Sequence, residues 1–379
     1  MDFALTDDQT LIRDAAESFL ADVSDSAGVR RAATLPLGYD ESVWQRIGAE
    51  LGWCGVAIPE EHGGLGLGPV TLALIQEQAG RRLLCAPFYG TVCVAGSGLM
   101  EVGSESAREA YLPRLAAGEL RIAVPLSGTD EWLRVARGVR ARAQGDGWVL
   151  DGPVPRQLDA AGADLLFVFA AIEGGGLGLF AVEAKAAGVA IQPRETWDAT
   201  RRFADVTLRG VRAQMRVDDP ERIEHGMARA AALARLYLAA EQLGGAQQCL
   251  DLTVAYTLGR KQFGRPVAGF QAVKHRCAEM MVRIEALRSA VYGAAALAAG
   301  EASPERVALE GAMAKQLASD TFFWCAQEAI QLHGGVGFTW EYDPQLYFKR
   351  AQASSHWLGS AEELREELAA ALIDGGVAA

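Results

Sequence analysis

The way hydrophobic periodicity changes along this chain limits its fold more than any single residue does. Up to about residue 118 apolar side chains recur at helical spacing, over 5–20, 41–51, 69–84 and 105–117. A glycine-rich loop over 59–68 separates two of these helices. From about 119 to 215 the pattern shortens to strands. Residues 147–152 read as strand and turn, 163–170 and 177–182 as buried strands, and 202–209 alternate with period two. Helical spacing then returns in a long alanine-rich run over 227–258, followed by 270–299, 303–332, 341–356 and a last helix to about 373. The reading is an α+β chain of three parts: a helical region over 1–118, a β domain over 119–215 and a helical bundle over 222–379.

At 379 residues each part is large enough to bury its own core. A net charge of -12 argues against a nucleic-acid partner, because phosphate neutralisation needs a basic surface. A polyanionic ligand would have to be met by local cations or helix N-termini. The six cysteines have no CxxC spacing, so neither a metal site nor a disulfide framework is expected. The first helix carries Asp7, Asp8, Arg13, Asp14 and Glu17 and lacks the basic and apolar regions of a signal peptide. No apolar run is long enough to span a membrane. A cytoplasmic location is the expectation.

Two blocks carry chemistry. Arg260-Lys261-Gln262-Phe263-Gly264-Arg265-Pro266 falls where the long helix must end, and Phe270-Gln271 follows it. A guanidinium at such a turn can donate paired hydrogen bonds to a pyrophosphate, and a neighbouring phenylalanine can stack on a flat ring. Taken alone, Arg260 could equally cap the helix C-terminus and Phe263 could belong to the core. Gln331-Leu332-His333-Gly334-Gly335 closes a later helix, with Gly337-Phe338 after it. Its glycines either let backbone N–H groups approach an anion or simply end the helix. His333 has no metal-ligand partner at useful spacing and is read as structural. The glycines of 174–178 and 63–68 lack the strand–turn–helix context of a dinucleotide loop.

Together the two blocks resemble the signatures of FAD-dependent acyl-CoA dehydrogenases, and the order of helical and β regions is similar over nearly the full length. The resemblance implies the acyl-CoA dehydrogenase fold: an N-terminal helical domain, a central β domain and a C-terminal four-helix bundle. It also implies α,β-dehydrogenation of an acyl-CoA thioester, with electrons passing to an electron-transfer flavoprotein. Arg260, Gln262, Phe263, Gln331, Gly334 and Gly335 would then hold the nucleotide end of a neighbouring subunit's FAD.

Other family positions differ. The family's Thr-Glu-Pro…Gly-Ser-Asp segment reads Val124-Pro125…Gly128-Thr129-Asp130, without the Thr-Glu pair. Its flavin-facing Trp and Thr are Arg156 and Leu158. The catalytic Glu of one family location is Leu358, and the Glu-Arg pair of the other is Ala234-Arg235, which leaves Arg235 as a candidate for substrate binding. Glu241 lies two helical turns beyond Ala234 on the same face, so it is either the catalytic base or a buried carboxylate paired with arginine. Subunits of the heteromeric enzymes for steroid side chains and dicarboxylic acyl-CoAs are similar here. Three assemblies follow: a mixed α2β2 tetramer with a homologous dehydrogenase subunit, a homo-oligomer using Glu241, or a silent, FAD-free partner subunit.

Overall fold

The computed structural model describes residues 5–125 and 135–374. The N-terminal region opens with the helix Asp7–Val23, where Thr6 and Gln9 form a reciprocal capping box. Gly68–Arg81 is the central helix of this region, and every residue from Thr71 to Gly80 is buried. The helix expected over 41–51 divides into Glu41–Gln45 and a wider turn, Arg46–Glu50. There a Cβ on Gly48 would stand 2.7 Å from the Gly118 Cα, so two backbones meet at glycines. Residues 89–102 are also helical and almost wholly buried. They are apolar on every side and so show no periodicity to read.

Eight strands form the central sheet in the order β6-β7-β3-β1-β4-β5-β8. These are β1 (Ile122–Pro125), β2 (Arg140–Gln144), β3 (Gly147–Leu158), β4 (Leu165–Ile172), β5 (Leu177–Glu183), β6 (Val189–Arg194), β7 (Phe203–Arg212) and β8 (Met215–Arg216); β2 pairs with both β3 and β4. β1 runs parallel to β4 and antiparallel to β3, with Val124 opposite Leu158. β3 breaks register with β7 between Val154 and Gln157, at Pro155 and Arg156. Proline supplies no ladder hydrogen bond, and Arg156 stands at φ 54°, so the strand bulges there.

Three long helices, Ile223–Gly259, Gln271–Ala299 and Pro304–His333, build the C-terminal region, with Pro344–Ser354 and Ala361–Ala369 packed on them. Small residues set their closest approaches. A Cβ on Gly245 would lie 2.4 Å from the Phe322 ring, and one on Gly311 2.8 Å from the Ala232 carbonyl oxygen. One apolar core runs through both helical regions and one face of the sheet, and a second fills the sheet's other side. Among the described residues no helix is long and apolar enough to cross a membrane.

Candidate functional site

Met227, Ala230, Ala231, Ala234 and Arg235 recur at helical spacing on Ile223–Gly259 and share one face. The alanines leave room, and a cavity of about 390 Å³ opens between this face, the 89–102 segment and strands β1, β4 and β5. That is the size of a small-molecule site. Among the described residues lining it, Arg235 and Glu367 alone carry charge. Arg235 is buried; its Nε donates to the Leu358 carbonyl at 3.0 Å, and its terminal nitrogens donate to the two Glu367 oxygens at 2.8 and 2.9 Å. Leu358 stands at φ 59°, a costly conformation for a branched residue, and the Arg235 bond holds its carbonyl in place.

Glu241 meets a different environment. At that point Ile223–Gly259 crosses Gly68–Arg81. A Cβ on Gly80 would stand 1.9 Å from the Glu241 carbonyl oxygen, and one on Gly244 1.8 Å from that of Glu77. Only glycine fits at either place, and the crossing closes the face that the alanines leave open. The Glu241 carboxylate is 2% exposed as a side chain and is filled with donors: Arg201 at 2.6 Å and Gln76 at 2.9 Å on Oε2, Arg350 at 2.6 Å on Oε1. Arg350 in turn donates to Asp198 at 2.9 Å and to the Thr200 carbonyl at 3.0 Å. Glu241 does not line the cavity. Of the two roles the sequence leaves open for Glu241, catalytic base or buried carboxylate paired with arginine, its surroundings are those of the second, with two guanidinium partners.

Asp159 lies beside this network. It stands partly buried at φ 57°, and its enclosed Oδ2 has no hydrogen-bond partner among the described residues. Burial pushes its carboxyl up to about 7, against the pull of the Arg201 and Arg350 charges. Asp159, Asp198, Arg201, Arg350 and Glu367 escape a reading of the sequence, because nothing local to them marks burial or partnership.

At the far end of the bundle the two signature blocks come together. Tyr256 stacks on His333 with ring centroids 4.3 Å apart, and Tyr342 meets Tyr256 edge-on at 5.8 Å. These contacts tie the ends of Ile223–Gly259 and Pro304–His333. His333 Nδ1 bonds the Ala329 carbonyl at 2.6 Å, and burial holds the ring below its ordinary pKa, so it is a neutral packing residue. Lys261–Gln262 and Arg265–Pro266 form a small hairpin whose turn residues, Phe263 at φ 52° and Gly264 at φ 77°, are both left-handed. The turn carries the Phe263 ring outward, where it is 90% exposed. Arg260, Gln262 and Gln331 are exposed as well; the Gln262 amide reaches only its neighbour's carbonyl, at 2.8 Å. Among the described residues the Arg260 guanidinium has no ion pair or hydrogen bond. Gly334 has φ 66° and ψ -149°, which only glycine adopts readily, and nothing lies within 4 Å of a Cβ built on Gly334 or Gly335.

Comparison with known proteins bears on both sites. The model of the acyl-CoA dehydrogenase N-terminal domain matches residues 6–119, and that of the C-terminal domain matches residues 224–373. The chain belongs to the acyl-CoA dehydrogenase family. It is 31% identical over 366 residues to the acyl-CoA dehydrogenase IpdE2 of Mycolicibacterium smegmatis, covering 97% of this chain and 99% of that one. Among solved structures it is similar to the steroid acyl-CoA dehydrogenase Tcur3481–Tcur3483, with TM-score 0.86, 30% identity and coverage of 98% and 99%. It also matches the ChsE4–ChsE5 complex from Mycobacterium tuberculosis, with TM-score 0.87, 25% identity and full coverage of both chains. Acyl-CoA dehydrogenases are FAD-dependent oxidoreductases acting on CH–CH bonds.

In this acyl-CoA dehydrogenase, the two positions at which the resemblance sets a catalytic carboxylate, Ala234 and Leu358, both line the cavity and are both apolar. At the hairpin end the residues fit FAD: Gly334 and Gly335 leave backbone open to close approach, and Arg260 offers a guanidinium unpaired among the described residues. The β face fits it less well. Leu158, at the family's Thr position, is 0% exposed and lies 3.1 Å from a Cβ built on Gly90. Opposite it, Phe203 meets the Trp357 ring at 5.6 Å. The surface is packed there by the chain's own apolar side chains. Ser127 to Asp130 lie outside the described residues.

Proposed function

We propose that this chain is one subunit of an α2β2 acyl-CoA dehydrogenase, lending half of an FAD site to a homologous partner subunit. The assembly carries out FAD-dependent α,β-dehydrogenation of an acyl-CoA of steroid side-chain or fatty type. Its electrons pass to an electron-transfer flavoprotein in the cytoplasm. The observation that carries this reading is an asymmetry. The half-site used by a neighbour (Arg260, Gln262, Phe263, Gln331, Gly334, Gly335) is exposed and unencumbered, while the half this chain would use itself is filled at Leu158. Identical chains would pair one good half with one poor half at every site. Unlike chains give one good site per pair, hence two FAD per tetramer.

Exposed apolar side chains on the C-terminal region support association: Leu258, Met281, Val282 and Phe338 are 58%, 58%, 70% and 61% exposed, surface that a neighbouring subunit would cover. Two similar structures, Tcur3481–Tcur3483 and the ChsE4–ChsE5 complex, point the same way. In the assembly Arg260 would hold the pyrophosphate and Gly334–Gly335 would admit the nucleotide end. When bound, FAD supplies the acceptor for the substrate β-hydride. With Ala234 and Leu358 apolar, the partner carries the carboxylate that takes the α-proton, along with the Thr-Glu-Pro and Trp-Ile-Thr segments. The packed β face also favours a second reading, in which this chain is a silent, FAD-free subunit that only completes its partner's site.

Co-expression with a homologous dehydrogenase subunit, followed by native mass and flavin quantitation, tests the proposal. We expect α2β2 with two FAD, and a colourless chain when it is purified alone. Four tightly bound FAD in a homotetramer of this chain would overturn it.

A further inference from the structure

We propose that the alanine-lined cavity of this chain receives an apolar chain that ends in a carboxylate, with Arg235 as the receptor. The inference rests on reading the cavity as an acyl pocket and adds the charge of its guest. Apart from Arg235 and Glu367, the described residues around the 390 Å³ space are apolar. A buried guanidinium in such a wall needs an anion, because a buried charge left unpaired is strongly unfavourable.

The geometry points to which anion. The Leu358 carbonyl fixes the Arg235 Nε at 3.0 Å, so the two terminal nitrogens remain as a planar fork suited to one carboxylate. Glu367 fills that fork at 2.8 and 2.9 Å and stands in for the guest. The two partners are unequal: the Arg235 side chain is 6% exposed and that of Glu367 is 46% exposed. Glu367 belongs to the last helix, Ala361–Ala369, and can turn into water when another carboxylate takes its place. The arginine has no such alternative. Exchange of one carboxylate for another preserves the ion pair, and burial of the guest's apolar chain against the alanines drives it.

Two sources share this chemistry: a free apolar carboxylic acid, or an acyl-CoA whose acyl chain ends in a second carboxylate. Equilibrium binding to the full chain separates them with four probes, decanoate, 1-decanol, sebacoyl-CoA and decanoyl-CoA. We expect the charged member of at least one pair to bind tenfold or more tighter than its neutral counterpart. The pair that discriminates names the source. Arg235→Met should erase the difference. Glu367→Gln removes the internal competitor and should tighten the charged probe several-fold while leaving the neutral one unchanged. Because Glu367 is half-exposed, that variant keeps the test decisive even where Arg235→Met fails to fold. Equal affinities within both pairs, or discrimination that survives Arg235→Met, overturn the carboxylate inference alone. Failure of all four probes to bind overturns the acyl-pocket reading together with it.

Discussion

Two charged groups on or just beyond one helix behave in opposite ways. Glu241 sits mid-helix with both carboxylate oxygens engaged by its own chain, whereas the side chain of Arg260, just past the helix end, has no partner among the described residues. Both belong to stretches that resemble family motifs, and both could be mistaken for chemistry. The difference teaches where to look for function: a charge whose partners are themselves sealed in the core is part of the architecture, and an ordered charge left unsatisfied, or paired only with an exposed partner, is open to something from outside. The glycine crossing at Gly80 and Gly244 seals the first group in, and the left-handed hairpin turn holds the second out.

The comparison breaks most readily at Arg350. Arg350→Met strips Glu241 and Asp198 of a shared partner inside the core. It should cost roughly 3–5 kcal/mol of stability, read as a lower midpoint in chemical denaturation. A stable Arg350→Met chain would mean that the network is dispensable and would favour a catalytic role for Glu241. At the other end, Arg260→Ala should leave the stability of the isolated chain unchanged. In the assembled complex it should weaken FAD retention ten- to a hundredfold, or about 1.5–3 kcal/mol. Unaltered flavin content at limiting FAD would remove Arg260 from the site.

The smallest effect concerns Asp159. Its folded-state pKa, raised to about 7, means that the folded chain keeps a proton the unfolded chain has released. Stability should therefore fall as pH rises from about 4 through 7, and the penalty is complete above that. Asp159→Asn should flatten this slope by on the order of 1 kcal/mol between pH 5 and 8. An unchanged slope, followed by thermal unfolding across that range, would show that Asp159 ionises without cost beside Arg201 and Arg350.

Much of the fold was legible because periodicity survives wherever a helix or strand has one wet face, as in Asp7–Val23 and β7. It failed over 89–102, where burial on all sides erases the pattern. The hairpin and glycine blocks could be read because turn chemistry is local: Phe263-Gly264 and Gly334-Gly335 announce their own backbone. The partners of Glu241 could not, since Arg201, Arg350 and Gln76 lie 40, 109 and 165 residues from it. Glu367 was hidden for another reason. It sits in the acidic run Glu362, Glu363, Glu366, Glu367, which reads as a solvated helix, and only the fold turns one of those four toward Arg235.

The glycine crossing also bears on how the chain reaches its native state. Gly80 and Gly244 lie on opposite sides of the whole central sheet in sequence, yet their helices touch backbone to backbone. The sheet is thus a long loop closed by that contact, and its two ends already meet where the Ser104 N–H donates to the Val217 carbonyl at 2.8 Å. Closing so long a loop before its contacts give anything back slows folding. A bulky residue at either glycine should therefore delay the docking of the two helical halves, and the sheet, with its own core, should form ahead of them.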